Sequence, residues 1–160
     1  MHESVLRDFL IGGQSATALK NDLAGVVVQT SSDVFTQYVT PMKEELVITR
    51  EHVLRLCDAA LEGSLAPEDL EPIAFCLIAS DQFLFEDNTP YNERVLDTLH
   101  DWDSPEINYV LTHATVEKFK KRLLTGESTL TPDDITKQKK KGSLTKSLQT
   151  TPGLRPSVSD

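Results

Sequence analysis

The amino-acid sequence predicts an all-α fold, a compact bundle of five to seven helices around a buried central helix, followed by a disordered C-terminal tail. Three observations lead to this prediction. Apolar residues recur at helical spacing along most of residues 1–126, glycines stand where those periodic segments end, and one mostly apolar stretch lies mid-chain. A chain of 160 residues with 39% hydrophobic content is long enough for one domain with a substantial core.

The central helix is assigned to residues 71–85, EPIAFCLIASDQFLF, the longest mostly apolar stretch in the chain. Its apolar run is shorter than the roughly 20 residues that a membrane-spanning helix needs. Pro67 and the two acidic residues after it suit a first helical turn. Pro72 favours a second helix start near Glu71, because proline inside a helix removes a backbone hydrogen bond. A helix that is apolar on every side is normally enclosed by other helices.

Two short helices are predicted before residue 25. The apolar residues of Glu3 to Ile11 repeat at helical spacing, and Gly12 and Gly13 end this segment. Ser15 is placed to cap a second helix that runs through about Leu23.

Residues 25–48 allow two interpretations. The spacing of Phe35, Tyr38 and Val39 favours a helix over Asp33 to Thr40. The alternative is a small two-stranded element built from Val26–Gln29 and Leu46–Ile48, because both segments are rich in β-branched residues.

Three more helices are predicted from the same kinds of signal, which are capping residues, apolar stripes and terminating residues. Thr49 caps a helix that ends near Glu62 before Gly63, and Thr112 caps the last helix, which Gly126 closes after Leu124. Between them, Tyr91 to about His100 forms a helix with Val95, Leu96 and Leu99 facing inward. Trp102 and Ile107 are predicted to pack beneath the loop around Pro105.

The composition changes at residue 127, which sets the domain boundary: a helical domain over 1–126 and a basic tail rich in Ser, Thr, Pro and Lys over 127–160. Such a tail buries too little apolar surface to offset its ordering entropy. Its cluster of Lys137, Lys139, Lys140 and Lys141 suggests weak nucleic-acid or membrane-surface contact. A plain solubilising tail is favoured, because no aromatic residues interleave with the lysines as a stacking platform.

The net charge of −9 is unevenly distributed. Residues 44–117 carry 17 acidic residues against three arginines, whereas residues 118–160 carry ten basic residues against four acidic ones. A strongly acidic folded region repels nucleic acid and attracts basic surfaces, which predicts a basic protein partner. The alternative is that the acidity only keeps a bacterial-type protein soluble.

The chain is expected to stay in the cytoplasm. Its cysteines, Cys57 and Cys76, form no CxxC motif, and both lie in apolar helical contexts typical of buried reduced thiols. The N-terminus lacks a basic-then-apolar leader with a cleavage site, and no segment has membrane length, so no membrane association is predicted.

The sequence predicts no catalytic residues, no cofactor and no metal site. The sequence has no glycine-rich phosphate loop, no G-x-S-x-G elbow and no calcium-loop spacing. One alternative stays open, a small metal-dependent hydrolase that uses the doublet His100-Asp101 with ligands such as His52 and His113.

The most distinctive surface spans Asp81 to Glu106, where eight acidic residues stand against Arg94 alone and aromatic residues are interleaved. Glu93, Asp97 and Asp101 are spaced four apart, so they share one helix face, where like charges cost about a few tenths of a kcal/mol each. The predicted partner-binding residues are Glu93, Asp97, Asp101, Trp102, Asp103 and Glu106. The alternative is a solvated face whose charges pair with the cluster Lys118–Arg122.

The pattern Leu6-x-x-Phe9-Leu10-x-Gly12, followed by Ser15-Ala16-x-x-Leu19, resembles the opening of small helical bacterial immunity proteins of the colicin D immunity type. The segments 63–70 and 104–107 also resemble short helical immunity families, and the resemblance spans about the first 125 residues. It implies a cytoplasmic, non-enzymatic inhibitor that binds and blocks a basic toxin nuclease. A third interpretation is a structural adaptor in a larger assembly.

Overall fold

A computed structural model describes residues 1–86 and 89–135, together with the backbone of residues 145–150. Within these ranges the chain forms six α-helices. They are α1 (Glu3–Leu10), α2 (Ala16–Asp22), α3 (Arg50–Glu62), α4 (Leu70–Ala79), α5 (Pro90–Asp103) and α6 (His113–Thr125). Short 3₁₀ turns at Pro67–Asp69 and Pro132–Asp134 precede α4 and follow α6.

The same ranges also contain five strands. The fold is therefore mostly helical, as predicted, but it is not purely all-α. They are β1 (Val27–Ser31), β2 (Val34–Val39), β3 (Leu46–Val47), β4 (Phe83–Leu84) and β5 (Thr145–Thr150). In the larger sheet β2 is central, antiparallel to β1 and parallel to β5. A separate parallel pair joins β3 to β4.

The predicted helix over Asp33 to Thr40 is wrong, because this segment is β2. Its β-branched residues suit a pleated strand, and the two residues that separate β1 from β2 make a tight hairpin. The alternative reading located strands near 26–29 and 46–48 correctly but paired them with each other. In the structure β1 pairs with β2, and β3 pairs with β4.

The central helix is α4, and it stops at Ala79 instead of continuing to Phe85. Ser80 has an extended backbone, and Phe83 and Leu84 then pair with β3, where Ile48 donates its N–H to the Leu84 carbonyl at 2.8 Å. Pro72 is the third residue of α4, where the missing N–H has no helical partner in any case. The helix is enclosed as predicted, with five of its ten residues fully buried.

Four of the predicted helix ends are confirmed, two at each kind of terminus. Ser15 Oγ accepts the Ala18 N–H at 3.1 Å, and Thr112 Oγ1 accepts the Thr115 N–H at 3.2 Å. Gly63 and Gly126 follow α3 and α6 with φ of 85° and 81°, a left-handed conformation that glycine adopts without a Cβ penalty.

The core lies where α4 packs on α5 and α3 packs on α6. The largest buried side chain is Trp102, whose ring meets that of Phe119 edge to face at 5.9 Å between centroids. The hairpin of β1 and β2 is joined to α4 by a hydrogen bond, in which Gln37 Nε2 donates to the Pro72 carbonyl at 2.7 Å.

The folded part of the chain continues past residue 126. Lys118 Nζ binds both carboxylate oxygens of Asp134, at 2.8 and 3.0 Å, and Val110 donates its N–H to the Asp134 carbonyl. Beyond residue 126 the structure thus describes the turn Pro132–Asp134 and strand β5, while the disorder of the tail over 127–160 stays a prediction. The basic cluster Lys137 and Lys139–Lys141 lies outside the described residues.

Candidate partner-binding surface

Helix α5 carries most of the predicted partner-binding residues, and its sequence explains where it starts and which face it buries. Thr89 Oγ1 accepts the Asn92 N–H at 3.2 Å, and Pro90 occupies the first helical position. Four buried residues follow at helical spacing and form the inner face, defined here as Val95, Thr98, Leu99 and Trp102.

The opposite side of α5 presents Glu93 and Asp97, and these two residues are called the acidic ridge. Both side chains are exposed, and neither makes an ion pair with any residue in the described ranges. His100 is exposed one turn further along. Two carboxylates are therefore held one helical turn apart on this helix, without a counter-charge among the described residues.

Asp101 belongs to the seam between α5 and α6. Its Oδ2 accepts a hydrogen bond from Arg122 Nη2 at 2.9 Å, and the same nitrogen donates to Thr98 Oγ1 at 2.8 Å. Burial raises the pKa of the Asp101 carboxyl, although the hydrogen bond and the charge of Arg122 oppose the shift. The arrangement makes Asp101 a link between two helices, with its charge largely satisfied inside the protein.

Trp102 lies fully buried in the core. The prediction that it packs inside the protein is confirmed, and its assignment as a partner contact is wrong, because the ring does not face solvent. Ile107, predicted to pack with it, is exposed instead. Asp103 and Glu106 are half-buried at the end of α5 and in the following turn, and Ser104 Oγ donates weakly to Asp103 Oδ2 at 3.4 Å.

The cations of α6 do not neutralise the acidic ridge. Lys118 binds Asp134, Lys120 binds Asp58 on α3 at 2.6 Å, and Arg122 is the member of the cluster that reaches α5, at Asp101. The alternative in which the cluster Lys118–Arg122 pairs with this helix face therefore holds for Asp101, whereas Glu93 and Asp97 make no ion pair with the described residues of that cluster.

Tyr91 is one of the aromatic residues interleaved with these acidic groups in the sequence, but it was not among the predicted partner-binding residues. Tyr91 is 52% exposed in the first turn of α5, and the guanidinium carbons of Arg50 and Arg94 lie 4.7 and 5.4 Å from its ring centroid. The spacing of Tyr91 and Arg94, three residues apart, was visible in the sequence. The approach of Arg50 depends on how α3 meets α5 and carries no local signal.

The three histidines considered as metal ligands occupy separate elements. His52 Nδ1 accepts the Thr49 N–H at the start of α3, His113 Nε2 lies 3.2 Å from the Leu61 carbonyl, and His100 is exposed on α5. Across the ranges that the structure describes, no group of three or more His, Cys, Asp or Glu side chains converges as a metal site would require.

Both cysteines are buried and unpaired with each other, as predicted. Burial, together with the charge of the nearby Asp58, raises the pKa of the Cys57 thiol to about 12. Burial also raises the pKa of Cys76. Neither thiol supplies an activated nucleophile, because the reactive species is the thiolate.

Among the described residues, the structure contains no helix with the length and apolar character needed to cross a membrane. Comparison with known proteins finds no family model, no curated protein and no solved structure that matches this chain.

Proposed function

We propose that this chain is a non-enzymatic binding protein whose acidic ridge binds a basic surface of a protein partner. Its most concrete form is an immunity-type inhibitor that blocks a basic toxin or nuclease domain. One observation carries the proposal: Glu93 and Asp97 are exposed and make no ion pair within the described ranges, on a helix whose inner face is sealed in the core.

The ridge is suited to fast and selective association. Adjacent like charges on one helix destabilise it by about 0.2–0.5 kcal/mol per pair, a penalty that a basic partner relieves. Because α5 is already packed, binding orders little additional backbone. A field of one sign steers an oppositely charged protein and raises its association rate, with a strong dependence on salt.

The surrounding residues take distinct roles in this proposal. Glu93 and Asp97 supply the recognised charges, and the half-buried Asp103 and Glu106 extend the acidic surface beyond the helix end. Tyr91 replaces Trp102 as the aromatic contact, because exposed tyrosines are frequent contributors to binding energy at interfaces. Asp101 acts indirectly by holding α5 on α6.

The test uses the full chain as bait in a lysate of its native host, at low and at high salt. The captured protein is then purified and titrated against the wild type and against the double variant Glu93→Lys/Asp97→Lys. We expect one basic partner that high salt releases, and at least about tenfold weaker binding by the variant, which corresponds to roughly 1.4 kcal/mol.

A matched control carries Glu62→Lys and Glu117→Lys, two exposed acidic residues on α3 and α6 that change the net charge by the same amount. Circular dichroism should show equal helical content in all three proteins. Equal weakening by both double variants would assign binding to overall charge and refute the ridge. A stoichiometric complex indifferent to salt and to both variants would favour the adaptor interpretation.

A further inference from the structure

A concave surface lies between the β1–β2 hairpin and the start of α4. This cleft has a volume of about 450 Å³, which falls within the roughly 300–1,000 Å³ of typical ligand sites. Its walls are mostly apolar and are formed by Leu23, Val26, Val27, Phe35, Pro72 and Phe75. Gln37 also lines the cleft and ties the hairpin to α4 through its bond to Pro72.

The rim of the cleft is acidic. Glu68, Asp69 and Glu71 all line it, at the turn into α4. Lys20 on α2 binds Asp69 at 2.6 Å, whereas Glu68 is exposed and makes no ion pair within the described ranges. An occupant that joins an apolar side chain to a cation would therefore match both the walls and the rim.

Strand β1, which borders the cleft, has an open edge in the part of the chain that the structure describes. All five of its residues are exposed, and Val27 and Val28 are 44% and 42% exposed. Edge strands normally carry a charge or a proline that prevents further pairing. The β1 sequence VVQTS has neither.

The register shows which backbone groups of β1 are available. Tyr38 donates its N–H to the Val26 carbonyl at 2.8 Å, and Val27 stands opposite Gln37. Antiparallel strands alternate between bonded and non-bonded pairs, so the N–H and C=O of Val27 point away from β2 towards the open edge. A strand added there places the side chain opposite Val27 on the cleft side of the sheet.

We propose that β1 and this cleft form an acceptor site for an extended segment of a protein partner. The segment adds as a strand along β1, inserts one apolar side chain into the cleft and directs a lysine or arginine, two residues away, towards Glu68. Main-chain bonds supply affinity in this mode of recognition, and the cleft supplies specificity.

A second copy of this chain fits the site less well than a basic peptide. Each copy has a net charge of −9 and would bring its own acidic rim. The β1–β2 pairing is irregular between Gln29 and Ser31, which leaves a regular edge of only Val27 to Gln29. So short an edge holds a partner strand only with additional contacts, such as those in the cleft.

The experiment measures fluorescence anisotropy of a labelled, capped peptide, Lys-Thr-Phe-Thr-Lys, with the full chain. Its phenylalanine and both lysines share one strand face. We expect saturable binding, about tenfold weaker for the counterpart Glu-Thr-Phe-Thr-Glu, and at least about fivefold weaker when the phenylalanine nitrogen is methylated and the bond to Val27 is lost.

Two protein variants localise the peptide. Val27→Pro removes the outward N–H but keeps the bonds between Val28 and β2, and Glu68→Lys reverses an exposed rim charge; each should weaken binding about tenfold. The ridge variant Glu93→Lys/Asp97→Lys should bind the peptide normally, which separates this site from the proposed function.

Two outcomes would overturn the proposal. The first is equal binding of all three peptides, or binding that neither Val27→Pro nor Glu68→Lys changes. The second is a dimer in sedimentation experiments that Val27→Pro dissociates, because the occupant of β1 would then be a second copy of the chain.

Discussion

The two faces of α5 belong to the same helix, but one packs in the core and the other faces solvent. The inner face, Val95 to Trp102, is closed off by α4 and α6. The outer face displays Glu93 and Asp97 to solvent without an ion pair in the described ranges. Asp101 lies at the border, bonded to Arg122. Stability therefore resides on one side of the helix, and the other side can change its charges with little effect on folding.

Trp102→Ala should show the largest effect of any single change on α5. Removing a fully buried aromatic side chain leaves a cavity and lowers the free energy of unfolding by about 3–5 kcal/mol. Tyr91→Ala, the matched change at an exposed aromatic residue in the first turn of α5, should lower the free energy of unfolding by under about 1 kcal/mol, because the ring is half exposed and loses only its arginine stacking. Urea unfolding followed by circular dichroism measures both, and similar losses would mean that burial does not decide how much each ring stabilises the fold.

Arg122→Ala tests the border between the two faces of α5. It should lower the free energy of unfolding by about 1–3 kcal/mol, because it leaves Asp101 and Thr98 without their partner in a half-buried seam. Lys120→Ala is the control, since it breaks the ion pair with the more exposed Asp58 and should cost under about 1 kcal/mol. The side chain of Arg122 is 14% exposed against 35% for Lys120. A urea midpoint that is lower for Lys120→Ala than for Arg122→Ala would contradict this account.

The smallest predicted effects are opposite pH dependences of two carboxylates that bind cations of α6. The hydrogen bond from Lys118 lowers the pKa of Asp134, so its contribution to stability is present above the unfolded value near 3.8 and is lost as pH falls through the lower folded pKa. Burial raises the pKa of Asp101, so its ionisation opposes folding as pH rises from about 3.8 through the higher folded pKa.

The corresponding variants should therefore change the stability profile in opposite directions. Asp134→Asn should reduce the loss of stability in acid, whereas Asp101→Asn should remove a loss that develops as pH rises. Unfolding midpoints measured in urea between about pH 2 and 6 give both slopes, since the ordinary pKa values of carboxyl groups lie in this range. Slopes of the same sign would show that burial does not dominate at Asp101.

The helices were predictable because their signals are local. Ser15, Thr112, Gly63 and Gly126 mark helix ends within a few residues of the chain, and the structure has each of them in that position. The hairpin was assigned to the wrong class because Phe35, Tyr38 and Val39 satisfy helical spacing as well as a strand does, and pairing with β1 decides between them.

The charged residues of the candidate site were predictable from the sequence, whereas its aromatic residue was not. Glu93 and Asp97 lie on one face by spacing alone, as expected. Trp102 was misplaced because the predicted helix ended at His100, whereas α5 continues to Asp103 and brings the ring onto the same face as Val95 and Leu99. The pairing of Arg122 with Asp101 requires α6 to lie against α5, which no local pattern reveals.

The double hydrogen bond of Arg122 fixes α5 in rotation as well as in position. One guanidinium nitrogen holds Thr98 and Asp101, three residues apart along the helix. A helix turns by about 100° per residue, so a roll of α5 by even one residue would carry both oxygens out of reach. This contact, on a different side of the helix, therefore fixes the direction in which Glu93 and Asp97 point. Every molecule presents these two charges in the same orientation.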